Sequence, residues 1–582
     1  LTNGSIKVDN SGTGITVNGN STIAANLSGA ADFTLGNANT TNRLSGSNSF
    51  SGQISLGSGV TNQTLEVTGT NALSSAANLN GSSSSANTPT LSLLAGGAYT
   101  MNKYKDGNML FKGTNSSTTS LTFTNTTNHT ISAGSKSLTA SNVNVTFAGD
   151  VDLAANITNK KVTLEGNSDF AFNGAITNSG VSYLITTTTT NTNTGVITTN
   201  NSYATNAYLV MNSSGALTLA ASNSFDGGVV MSNGTVAISN NAAFGTGAVG
   251  ISNNATVRAL ANLTVANNYD LGTNNNKATF DVGSGLALTN SGVISGKGTI
   301  EKTGTGTLHL TGANTYSNAA TVTGGTLAGN TGSLIGNITN NATVEFVQAT
   351  NGTYSNVISG SGAFRKSGAG ELTLNQANTF AGGATITAGT LKLNRAGNGT
   401  GGTIVGTIAV NGGTLLLGQA NQISDSSAVT LGGGTINTGG FADQAGKLTV
   451  SAGSAISGLV ATTGGAATAN DFLFSSVDLT NYATSSGSNL NLGGGYSYGA
   501  TINISSSNYT GWSGYSTTSL NNFSDKVLFG STGMKAQINF NGTTGLTYIT
   551  AIPEPKVYVA MAMLVALVGV TEYKRRKRAV KV

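Results

Sequence analysis

From residue 1 to about residue 552 the apolar positions come in short alternating runs. Leu372-Thr373-Leu374 and Leu391-Lys392-Leu393 are examples. A period of two marks a strand with one buried face. Gly and Asn separate the runs, and no long stretch before the C-terminal segment places apolar residues three and four apart. The pattern predicts strands throughout and almost no helix. A strand–turn–strand unit this short has no core of its own, so it buries its apolar face only by stacking on a neighbouring unit.

The units repeat. Segments beginning at Gly215, Gly306 and Gly370 align without a gap. Each has Leu at its third and fifth positions and Asn at its ninth (Asn223, Asn314, Asn378). An aromatic follows two residues later (Phe225, Tyr316, Phe380). Each closes on a Gly-Thr-apolar triplet: Gly234-Thr235-Val236, Gly325-Thr326-Leu327 and Gly389-Thr390-Leu391. The last two extend upstream, where VISGKGTIEKTGTG from Val293 matches VISGSGAFRKSGAG from Val357. A weaker relative near the start keeps Asn48, Phe50 and Gly52 in register. The expectation is a parallel β-helix with coils of roughly 20–25 residues, stacked about 4.8 Å apart. Inward Leu, Val and Ile would form its core. Inward Asn would stack in hydrogen-bonded ladders, and Asn378, Gly382 and Gly383 would supply turn chemistry.

The unit at Gly368–Leu393 resembles the autotransporter-associated β-strand repeat. That resemblance implies an all-β fold, a long right-handed parallel β-helix (solenoid), in a secreted bacterial surface protein. It covers 1–460, most clearly at 215–239, 293–330 and 357–394. Such passengers usually end in a membrane β-barrel. Here too few regular amphipathic strands follow residue 460 to build one.

Composition changes after 460. Residues 461–551 hold 12 aromatics, against 22 in the first 460 residues. They read as a cap that covers the last core layer of the solenoid. Tyr509, Trp512 and Tyr515 lie close enough in sequence to form a glycan-stacking platform instead.

The C-terminal segment 552–582 breaks every pattern. It carries Pro553-Glu554-Pro555, an apolar run at 557–570, and Lys574-Arg575-Arg576-Lys577-Arg578. The run predicts one short transmembrane helix, and the basic block keeps its end cytoplasmic with the body outside. The prolines hold the preceding strip extended. This order resembles the PEP-CTERM sorting signal. The resemblance implies recognition of Pro553, Glu554 and Pro555 by an exosortase, a membrane protease or transpeptidase, in Gram-negative bacteria that make exopolysaccharide. Lys556 departs from the small residue common after that motif.

Charge supports this division. Of 26 basic and 21 acidic residues, 7 and 2 lie from Pro553 onward, leaving 19 of each in the body. A neutral body excludes a nucleic-acid surface, which needs clustered Lys and Arg. The absence of Cys removes disulfides, thiolate metal sites and cysteine nucleophiles.

Candidate chemistry is sparse. Gly245–Gly250 (GTGAVG) spells a dinucleotide fingerprint, but the alternating residues after it predict a strand where that site needs a helix. GVISGKGT from Gly292 falls one residue short of a P-loop. His309 occupies an outward repeat position, and neither it nor His129 has a nucleophile context. Asp150 and Asp152 would share a strand face about 7 Å apart, within the range of a glycosidase pair, although a solvated face is the simpler reading. Asn-x-Ser/Thr triplets are numerous but follow from composition.

No cofactor or metal is expected. The reading is an exported structural protein of the cell surface or matrix, not an enzyme, adhesive or exopolysaccharide-associated. The alternatives are a polysaccharide-active enzyme (lyase or glycosidase) on the same fold, and a ligand-specific adhesin with its site in 461–551 or in a long insertion such as 96–140.

Overall fold

The computed structural model describes residues 14–396 and 403–450, apart from 31, 58–60, 74–76, 85, 127–128, 132–133, 154–159, 179–182, 191–196 and 205–206. Backbone strands alone are described at 5–8, 183–190, 197–204, 455–457, 472–478, 490–493, 501–505, 527–529, 534–541 and 546–552. The chain forms two compact units, Leu1–Gly325 and Thr326–Val582. Apart from a 3-10 turn at Thr70–Ala72, every regular element described is a strand, as the alternating pattern predicts.

The first unit is a parallel β-solenoid. A 12-stranded sheet runs from Ser21–Ile23 to Ile294–Ser295. A second sheet begins at Gly97–Met101 and continues in this unit to Ala320–Val322. Successive strands in a sheet are one coil apart. That spacing ranges from 18 residues (Ile15 beside Phe33) to 29 (Met109 beside Leu138), with one exception. Phe172 pairs with Leu219, 47 residues on. The extra chain contains an antiparallel hairpin, Tyr183–Thr190 with Ile197–Ala204. The insertion expected at 96–140 is therefore not one. Gly97–Met101, Lys103–Asp106, Met109–Lys112, Thr119–Phe123 and Lys136–Ser141 all belong to the coil sheets. Short, lysine-bearing strands there had obscured the alternation.

Side chains in register form the core. Met101, Phe123, Phe147, Phe172 and Leu219 occupy one inward column, and all are buried. Phe147 lies parallel to Phe123 at 5.2 Å and to Phe172 at 4.9 Å between ring centroids. Coil spacing sets these distances, because identical rings one coil apart are held near the strand separation.

Asparagine has a different job from the one expected. Inward Asn side chains do not stack on one another. Asn223 Oδ1 accepts from the Ile176 amide at 2.7 Å, and Asn314 Oδ1 from the Ile294 amide at 2.8 Å. Each thereby clasps the preceding coil. Asn378 carries no positive φ either, and among the described residues the non-glycine ones that do are Asn39, Asn62, Asn142 and Asn421. Asn-to-Asn ladders form instead at exposed turns, where Asn62 Nδ2 donates to Asn39 Oδ1 at 2.9 Å. Other corner side chains stitch forward. Asn20 Oδ1 accepts from the Thr41 amide, Asp32 Oδ1 from Gln53 and Asn254 Oδ1 from Lys277. Amides at the coil corners lie outside the sheet ladders, and each needs an acceptor. Short amide side chains one coil away supply it, which accounts for the chain's Asn content.

The second unit follows the same rules. Leu372, Leu391, Leu415 and Ile436 form a fully buried column. Asn378 Oδ1 accepts from the Ile358 amide at 2.8 Å. Buried Asp443 accepts from the amides of Gln422, Ile423 and Gln444. Beyond residue 457 the stack continues in backbone register. Phe472–Asp478 pairs parallel to Asp443–Val450, and Leu490–Gly493 lies between Ala455–Ser457 and Val527–Phe529. The pairing then turns antiparallel through Met534–Asn541, Leu546–Ile552 and Thr501–Ser505.

Tyr509, Trp512 and Tyr515 lie outside the described residues, as do Pro553, Glu554, Pro555, the run 557–570 and Lys574–Arg578. Among the described residues no helix is long and apolar enough to cross a membrane.

Candidate binding surface and the clasps behind it

The outward face of the first unit's second sheet is a grid. One row runs Thr100, Thr122, Thr146, Ala171 and Thr218. From the strand Ala216–Leu219 onward the hydroxyls shift two residues along the strand, to Thr235, Thr256, Thr279 and Thr321 with Glu301 between the last two, while the first row continues as Ala237, Arg258, Asp281 and Thr303. Within each row hydroxyls recur about 4.8 Å apart across the coils. Charge enters only as matched pairs: Arg258 with Asp281 at 2.8 Å and Lys277 with Glu301 at 2.6 Å. Such exposed pairs are worth about 0–1 kcal/mol each, so they balance the face rather than anchor it. The surface can donate and accept hydrogen bonds over many coils while carrying no net field.

Behind the surface, glycine sets the coil corner. Gly234, Gly325 and Gly389, which open the closing triplet of each repeat, have φ of +74°, +64° and +65°. A Cβ at Gly389 would lie 2.3 Å from the Gly368 carbonyl oxygen, and one at Gly325 would lie 2.2 Å from that of Gly306. Both the left-handed backbone and the close approach of the adjoining coil exclude a side chain.

Two lysines complete the corner, and the sequence reading passed over them. Lys302 and Lys366 occupy equivalent positions in the two extended repeats and are fully buried. Lys302 lies in register between Phe280 and Val322, and Lys366 between Phe346 and Ile386. Each stem packs in the apolar column while its head turns into the adjoining turn. Lys302 Nζ donates to the carbonyls of Thr303, Gly304 and Gly324 at 2.5, 2.9 and 3.2 Å. Lys366 Nζ donates to those of Ser367, Gly368 and Ala388 at 2.8, 2.8 and 3.1 Å. Three ammonium donors meet three acceptors. Burial pushes both groups down to about 8, and Asp281 opposes this at Lys302. The signal was present in the sequence. Strict alternation puts the Lys of IEKTG and FRKSG inside, but residue type alone argues for the outside.

A third buried lysine sits among charges. Lys160 donates to the carbonyls of Ile131 and Leu153. Its pKa falls to about 8 through burial, raised again by Asp106 and Asp152 and lowered further by Lys136. Nearby, His129 is wedged edge-on against Phe123 and Phe147 and accepts from the Tyr104 amide at 3.2 Å. Burial, then Lys103, lowers its pKa to about 4, so it is a neutral acceptor and not a proton shuttle near neutrality.

The candidate motifs fall into place as structure. Asp152 is buried and belongs to this interior group. Asp150 Oδ1 accepts from the Ala175 amide at 2.7 Å. The two are therefore not the solvated strand face that the sequence suggested. GTGAVG leads into the strands Val249–Ile251 and Ala255–Ala259, with no helix to receive a pyrophosphate. His309 is an outward residue of Thr307–Leu310. Among the described residues no group of three or more His, Asp or Glu side chains could hold a metal ion.

Comparison with known proteins agrees with the repeats. Residues 209–238, 300–328 and 364–393 match the passenger-associated-transport-repeat family. These are the three units aligned from sequence. The chain is also similar to the adhesin BmaC autotransporter of Brucella suis biovar 1 (strain 1330), at 29% identity over 284 residues. That match covers 46% of this chain and 8% of the adhesin, so the chain spans under a tenth of that relative's length. No solved structure matches the chain. The protein is a parallel β-solenoid carrying three repeats of the passenger-associated-transport type.

Proposed function

We propose that this protein is an exported, adhesin-like structural protein of the bacterial surface or extracellular matrix, without catalytic activity. The observation that carries the reading is the outward grid of Thr hydroxyls with matched charge, held in register by clasped coils. Such a face engages neutral glycans, including exopolysaccharide, through many weak hydrogen bonds. The passenger-type repeats and the adhesin relative support the same class. Residues 461–551 would close the solenoid as a cap, and a glycan-stacking platform of Tyr509, Trp512 and Tyr515 is the alternative use of the same segment.

The sorting reading rests on the C-terminal sequence. Pro553, Glu554 and Pro555 present an extended strip to an exosortase-type membrane enzyme. The run 557–570 holds the chain in the inner membrane while Lys574–Arg578 stay inside the cell. Processing then passes the body to the surface or matrix.

The test is the C-terminal peptide of surface-exposed and released protein, read by mass spectrometry. The expected terminus lies near Pro553–Pro555 and disappears when the exosortase gene is deleted. An intact Lys581-Val582 terminus in membrane fractions would make the segment a permanent anchor. In parallel, retention of the purified chain on a neutral polysaccharide resin should survive high salt, because hydrogen bonds to an uncharged polymer are not screened. Retention abolished by salt would overturn the glycan reading.

A further inference from the structure

The hairpin Tyr183–Thr190/Ile197–Ala204 stands apart from the coil sheets. It is a two-stranded sheet of its own, and neither strand pairs with any other described strand. Each strand is eight residues long, more than most of the coil strands. Both outer edges therefore carry backbone donors and acceptors that no described strand pairs.

Proteins usually blunt such edges with Lys, Pro, bulges or shortness. This one has none of these. The strands pair without a register shift. From Phe170 to Phe225 there is no Asp, Glu, Lys, Arg, His or Pro. The segment YLITTTTT with ITTNNSYA is rich in Thr, Ile and Tyr, residues that favour strands. An uncharged edge of this kind is a ready template for another strand.

The insertion is also separable from the fold. Removing 181–206 takes 26 residues from the 47-residue coil and leaves 21. The flanking coils measure 25 (Phe147 to Phe172) and 19 (Leu219 to Ile238). The solenoid has no need of the hairpin to close that turn.

We infer that this hairpin is a strand-addition site for a second molecule of the same chain. A second molecule fits because it brings an edge of identical length and neutrality. Two identical edges can pair antiparallel about a two-fold axis, and like charges never meet there. The bond between molecules is then a backbone ladder.

The test uses the full chain in one detergent, so that any association through the apolar C-terminal run is common to all samples. Sedimentation equilibrium is compared for the wild type, a 181–206 deletion, and the double substitution Thr187→Lys with Thr199→Lys. The wild type should associate reversibly. The double substitution should weaken association at least tenfold, and the deletion should remove it. Because the chain has no Cys, a single Thr187→Cys reports the contact directly and does not depend on the deletion variant folding. Mild oxidation should give a disulfide-linked dimer, whereas Thr339→Cys on an outward coil position should not. Unchanged association in the deletion and double variants, a wild type monomeric at every concentration, or equal dimer yield from both Cys variants would overturn the inference.

Discussion

At the residue scale, each repeat position meets a demand of stacking geometry. Gly389 is glycine because its backbone is left-handed and an adjoining carbonyl occupies the space of a Cβ. Asn378 is an amide because the Ile358 amide needs an acceptor. His129 is neutral because its surroundings are aromatic, and this sets a pH dependence. Its pKa is about 4 in the folded chain and 6.5 when exposed. The unfolded state therefore binds the proton first as pH falls. Stability from His129 is fully present above 6.5 and is lost as pH drops towards 4. The Tyr104 amide, which donates to His129, should show falling hydrogen-exchange protection across that window once intrinsic rates are removed. His129→Phe should flatten the trend while lowering protection throughout, since Tyr104 loses its acceptor. A protection factor constant from pH 7 to 4 in the wild type would refute this. Asp443 acts in the opposite sense. Burial raises it to about 7 against three amide donors, so its contribution is present below 3.8 and fades as pH rises through 7.

At the scale of the element, the corner lysines join two environments. The stem of Lys366 replaces an apolar side chain between Phe346 and Ile386, and the head satisfies a turn. The first repeat holds Met211 at this position, fully buried, so an apolar stem alone fits the column. Lys366→Met should therefore fold and cost about 1–3 kcal/mol, the penalty of carbonyls left without a donor. Lys366→Ala should cost more, because it adds a cavity. Denaturant midpoints rank the two, and equal losses would argue against the stem's packing role. These residues also show what the sequence could and could not convey. Alternation at Leu372-Thr373-Leu374 announced strand, face and core together, because burial and residue type agreed. At Lys302 and Lys366 they disagreed, and the carbonyl cluster that reconciles them exists only after the coil has closed. The sequence suggested inward Asn but not which ones, and it placed Asn378 in a turn rather than on the Ile358 amide, since an amide one coil away leaves no trace in local spacing. The hairpin at 183–204 hid for a related reason. Its Thr and Asn match the composition of the coils around it, and only sheet register shows that it is extra.

At the scale of the molecule, the described coils build their core and their outward faces by repetition. Hydrogen bonds, ring stacks and lysine heads tie each coil to its immediate neighbours. Under tension this means that the first unit should yield one coil at a time. An ordinary coil of 20–25 residues would pay out roughly 70–90 Å of extended chain. The 47-residue coil would release about 160 Å, a single long step within an otherwise even staircase. Optical-trap traces of the full chain should contain that step, and deletion of 181–206 should shorten it to the common length. A single cooperative rip of the whole unit would contradict nearest-neighbour stitching. In the adhesive role proposed above, such a staircase would make the protein a dissipative tether. Each lost coil absorbs work and lengthens the link, so a cell held by this chain against flow would lose grip gradually.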